Sequence, residues 1–100
     1  MDRRGLDRKF TFYPVSDTHT HNFVETYQGL VGYGADRETD EHTIMVYLQK
    51  FSDDQFLATI IKRMTDEELL DVFNLINRLL KKHLTEFEYH SLFLKDGHEV

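Results

Sequence analysis

The stretch TDEELLDVFNLINRLLKKHL, residues 65–84, decides how this chain is read. Leu69, Val72, Phe73, Ile76, Leu79 and Leu80 recur at the three- and four-residue spacing that makes one broad face of an α-helix apolar. Thr65 and Glu68 stand at the spacing of a capping box, in which hydroxyl and carboxylate each take up a backbone N–H of the first turn. Asp66 and Glu67 open the segment and Lys81 and Lys82 close it, charges that complement the helix macrodipole. The pattern predicts a helix that must lay its apolar face on something.

The same cues repeat on either side. Upstream, SDDQFLATIIKRM (52–64) offers Ser52 as cap with Gln55, and Phe56, Leu57, Ile60, Ile61 and Met64 as one face. Before it, TDEHTIMVYLQKF (39–51) predicts a helix that starts at Thr39 or Asp40 and buries Ile44, Met45, Leu48 and Phe51. NFVETYQGLV (22–31) predicts a first helix capped by Asn22 with Glu25. Its stripe is Phe23, Val24, Tyr27, Leu30 and Val31, and Gly32 and Gly34 end it. Downstream, TEFEYHSLFL (85–94) has a further cap pair in Thr85 and Glu88, with Phe87, Tyr89, Leu92, Phe93 and Leu94 pointing in nearly all directions. Phe51–Ser52 and Met64–Thr65 leave almost no loop, so successive helices must turn sharply.

These readings predict an all-α fold: a compact bundle of four or five short helices around one Leu/Ile/Phe core. Residues 22–96 form the helical domain, residues 1–21 a flexible N-terminal arm and residues 97–100 a C-terminal tail. Within the arm, KFTFYPV (9–15) alternates apolar and polar side chains and is closed by Pro14, which predicts a short extended segment.

Composition narrows the function. The 100 residues make one domain. There is no cysteine, which excludes disulfides, zinc–thiolate sites and thiol catalysis. The apolar runs are only a few residues long and MDRRGLDRK has no apolar block, so neither a membrane span nor a signal peptide is expected, and a cytoplasmic protein is. The net charge is −6; residues 1–9 carry +2, from Arg3, Arg4, Arg8 and Lys9 against Asp2 and Asp7, and the remainder carries −8. So acidic a domain repels a phosphate backbone, and nucleic acid is not an expected partner.

Over residues 22–96 the run FVETYQGLVGYGADRETDEHTIMVYLQKFSDDQF followed by MTDEELLDVFNLINRLLKKHLTEFEYHSLFLKD resembles a group of small uncharacterised bacterial cytoplasmic proteins. The resemblance implies a bacterial cytoplasmic protein and brings no activity with it.

Four motifs suggest chemistry. In SDTHTHNF (16–23), Asp17, His19 and His21 alternate after an apolar run and resemble the opening metal motif of amidohydrolase-type enzymes. Those enzymes are barrels of about 250 residues whose other ligands come from later strands, and this chain supplies none. A polar linker is the simpler reading, and a surface metal site at His19 and His21 the alternative. His83, Glu86 and His90 would share a face only if the fourth helix ran unbroken through Thr85; His83 and His90 are then a second alternative metal pair. GLVGYG (29–34) places its glycines after a helix rather than before one, which reads as a helix end and not a phosphate loop. Asn74, Asn77, Arg78, Lys81 and Lys82 are residue types that read DNA, yet Asp66, Glu67, Glu68 and Asp71 occupy the end that would enter the groove.

The sequence therefore points to a non-enzymatic protein-interaction or regulatory module, a homodimer, with no cofactor. The interface is expected at aromatic residues off the helical stripes, Phe12, Tyr13, Tyr89 and Phe93 among them, because aromatics are enriched at interfaces. Metal binding and a helix-turn-helix-like DNA-binding role are the alternatives.

Overall fold

The computed structural model describes residues 19–96, and among them every regular element is helical. The elements are α1 (Phe23–Thr26), α2 (Arg37–Phe51), α3 (Asp54–Arg63), α4 (Asp66–His83) and α5 (Glu86–Glu88), which continues into a π-helical turn, Tyr89–Leu94. The fold is all-α. The expected N-terminal arm, its extended segment and the C-terminal tail lie outside the described residues, apart from residues 19–21.

The chain divides into two units. One is Thr20–Arg78; the other comprises, among the described residues, His19 and residues 79–96. In the first unit, α2 starts at Arg37, two or three residues earlier than the expected Thr39 or Asp40. Asp36, in extended conformation, accepts from the Thr39 N–H at 2.8 Å and so caps the helix at Arg37. That hydrogen bond also holds the Asp36 carboxyl below the usual carboxylate range. The cap of α3 is Asp53 rather than Ser52: the Asp53 carboxylate accepts from the Phe56 N–H at 3.0 Å. Ser52 instead ends α2 and turns its hydroxyl back to the Gln49 carbonyl at 3.2 Å. Here the charged carboxylate of Asp53, the stronger acceptor, takes the cap and the Ser52 hydroxyl serves the end of α2.

The Thr65–Glu68 capping box is formed as the spacing predicts. The Glu68 N–H donates to the Thr65 hydroxyl at 3.1 Å, and the Thr65 N–H to the Glu68 carboxylate at 3.0 Å. Lys50, then Lys62 and Arg63, then Lys81 and Lys82 lie in the last turns of α2, α3 and α4.

The first helix departs most from expectation. It is a single turn, and Asn22 makes no side-chain cap. Tyr27 is extended where the helix was expected to run on to Val31. Two β-branched residues, Val24 and Thr26, give the turn little intrinsic stability. Contacts with α2 offer the backbone a better outlet: the Val24 N–H donates to Gln49 Oε1 at 2.8 Å, and the Gly34 N–H to Asp40 Oδ1 at 2.7 Å. Tyr27 stacks on Phe23 with ring centres 4.9 Å apart, both rings meet His42, and the Tyr27 hydroxyl donates to the Leu30 carbonyl. A Cβ on Gly29 would run into the Tyr27 ring, and Gly34 sits at φ +111°, so the segment after α1 depends on both glycines.

Thr43 is the polar centre of this docking. It is 4% exposed, its hydroxyl accepts from the Gly32 N–H at 2.9 Å, and the same hydroxyl donates to the Gly32 carbonyl at 3.1 Å. Val46, one turn on, is the only buried apolar side chain among the described residues. The face of α2 that is covered therefore runs through Thr43 and Val46. The stripe expected to be buried is not: Ile44, Met45, Leu48 and Phe51 are all exposed.

In the second unit, α4 ends at His83 and a new cap begins at Thr85. The Glu88 N–H donates to the Thr85 hydroxyl at 3.1 Å, and the Thr85 N–H to the Glu88 carboxylate at 2.8 Å. The π-helical turn closes on Lys95 in the left-handed conformation, φ 48°.

Candidate functional site

The feature that sets this chain apart is how much apolar side chain its helices leave exposed. Leu48 of α2 is 62% exposed, Phe73 of α4 is 59% and Leu70 is 57%. Phe56 and Ile61 on α3, and Leu69, Val72, Leu75, Ile76 and Leu79 on α4, are exposed as well. Scattered single residues of this kind are ordinary on a monomer, but contiguous stripes mark interaction surfaces. On α4 the stripe runs the whole length of the helix opposite a charged face, so the amphipathic pattern is complete while its apolar side lacks cover.

A wide groove of about 1080 Å³ lies along the first unit between the segment around His21 to Val31 and the α2–α3 corner. Val24, Val46, Phe51 and Phe56 supply its apolar wall, and Glu25, Lys50, Asp53 and Asp54 its charges. His21 lines this groove and His19 is exposed at the start of the described chain. No group of three or more His, Asp or Glu side chains that would hold a metal ion occurs among the described residues. Asp17, Phe12 and Tyr13 lie outside them.

The second histidine constellation is divided by the Thr85 cap. His83 ends α4, while Glu86 and His90 belong to the next helix, where they are four residues apart. His90 Nδ1–H donates to Asp96 Oδ2 at 2.8 Å, and Nε2 faces Glu86 Oε2 at 3.4 Å. The Asp96 hydrogen bond, and then the neighbouring Glu86 carboxylate, raise the His90 pKa above its ordinary value. The ring is 26% exposed and ties Asp96, beyond the π-helical turn, back to the start of that turn. A histidine whose folded-state pKa is raised stabilises the fold fully below its unfolded pKa of about 6.5. That contribution is lost as pH rises through the raised folded value. Raising the pH from 5 to 9 is therefore expected to loosen residues 90–96. Amide hydrogen exchange, corrected for its intrinsic pH dependence, should show protection there falling with pH in the native chain and staying flat in His90→Gln.

Tyr89 and Phe93 stack with ring centres 5.7 Å apart and planes 12° apart. Tyr89 is half-buried and Phe93 exposed, beside exposed Phe87 and Leu92. Periodicity placed the apolar residues of α3 and α4 on one side of each helix, but gave no sign that most of the α4 side would stand open, because it does not say which surface covers it. No helix among the described residues is long and apolar enough to cross a membrane. No protein-family model, no curated protein and no solved structure matches this chain.

Proposed function

We propose that this chain is a non-enzymatic protein-interaction or regulatory module that works as a homodimer. The observation that supports the reading is the open apolar face of α4, seconded by exposed Ile44, Met45, Leu48 and Phe51 of α2 and Phe56 and Ile61 of α3. Such faces cost free energy in water at about 25 cal/mol per Å², and association recovers it. The acidic balance of the chain accords with protein rather than nucleic acid as partner.

Native mass measurement over a range of protein concentrations tests it. A dimer that persists into the low micromolar range is the expected result. A strict monomer at the highest concentrations would remove the reading.

A further inference from the structure

We infer that residues 22–34 form a strap that opens and closes on α2 as one unit, with its hinge at Gly34. Side chains of α2 hold the strap by its main chain. The Gly34 N–H donates to Asp40, Gly32 exchanges two hydrogen bonds with Thr43, and the Val24 N–H donates to Gln49. Asp40, Thr43, Val46 and Gln49 follow one another at three-residue spacing, a row that winds obliquely round a helix. The strap meets that row in reverse order, from Gly34 at Asp40 back to Val24 at Gln49, so it crosses α2 antiparallel to the helix.

Little else secures it. Leu30, Val31 and Tyr33 of the strap are exposed, and Val46 is the only buried apolar side chain among the described residues. A few hydrogen bonds and one covered valine make a contact that opens well short of global unfolding. The hinge has its own chemistry. Gly34 stands at φ +111°, a conformation that glycine adopts freely and L side chains resist, just before the Asp36 cap that fixes the start of α2. Rotation there moves the strap while α2 stays whole. Val24, Glu25 and Val31 of the strap form one wall of the groove, so the groove exists only while the strap is closed.

Native-state hydrogen exchange of the full chain in rising, sub-denaturing urea tests this. The Val24 and Gly32 amides are expected to share one protection factor at every urea concentration, about tenfold or more below that of the best-protected α2 amides. Unequal protection at the two amides means piecemeal fraying, and protection equal to that of α2 means no opening short of helix unfolding; either result overturns the inference. Gly34→Ala supplies a second readout. The strain of a side chain at φ +111° is expected to lower protection at Val24 and Gly32 by the same factor, about tenfold, with α2 unchanged. Gly32→Ala places its Cβ where nothing lies within 4 Å, and is expected to leave Val24 protection within about threefold of native. In Gly34→Ala, loss of protection at Gly32 without loss at Val24 would show that the strap does not move as one unit. Unchanged protection at both would remove the hinge.

Discussion

Replacing Phe73 and Ile76 together with aspartate is expected to turn the dimer into a helical monomer. Both side chains lie on the exposed face of α4, so within one chain their removal sacrifices little packing. In a homodimer joined through this face both are covered, and two-fold symmetry removes each of them twice. Full burial of a side chain of this size stabilises by about 1.5–3 kcal/mol. Four such losses at the lower end correspond to roughly a 10⁴-fold weaker Kd, before the cost of placing carboxylates in an apolar seam is added. Circular dichroism should show helix content close to that of the native chain, since aspartate lowers helix propensity by well under 1 kcal/mol per position. Sedimentation or native mass should show monomer at concentrations where the native chain is dimeric. An unchanged dimer would remove α4 from the interface.

The helices were legible because their ends are written in local chemistry. Capping boxes at Thr65–Glu68 and Thr85–Glu88 need only residues three apart, and both formed. The end of α4 before Thr85, which divides the histidine set, could be read for the same reason. The α2 start and the α3 cap moved by one to three residues where several acceptors compete: Asp36 caps α2 at Arg37 rather than at Thr39 or Asp40, and Asp53 takes the α3 cap from Ser52. The covered face of α2 was not legible. Hydrophobic periodicity chose Ile44, Met45, Leu48 and Phe51, whereas α1 and the segment after it dock beside buried Val46 through hydrogen bonds to Gln49 and Thr43, a contact that apolar periodicity does not register. A stripe that is apolar for the sake of another surface looks identical in sequence to one that closes the chain's own core. The candidate site was hidden for that reason: its residues were all visible, and their exposure was not.

Thr43→Val tests whether this polar docking, rather than apolar contact, holds the segment from α1 to Gly34 in place. The substitution keeps the branched shape and nearly the same helix propensity, so it removes little besides the hydroxyl. Both hydrogen bonds with Gly32 are lost at once, and the Gly32 N–H and carbonyl are left against a methyl group on a face that is otherwise covered. An intramolecular hydrogen bond contributes about 1 kcal/mol net, and a stranded partner raises the cost, so a loss of roughly 1–3 kcal/mol is expected. Because association adds to apparent stability, native and variant chains must be compared at equal concentration. Hydrogen exchange gives the local readout. The Gly32 amide should lose its protection and residues 23–34 should open before α2 does, as a segment held by few buried contacts does. Thr43→Ser, which keeps the hydroxyl and drops the methyl, is expected to retain Gly32 protection. If valine leaves that amide protected and the unfolding midpoint unchanged, then the stacking of Phe23 and Tyr27 around His42 and the Val24–Gln49 hydrogen bond suffice to hold the segment. In that event Thr43 would be buried by its neighbours rather than anchoring them.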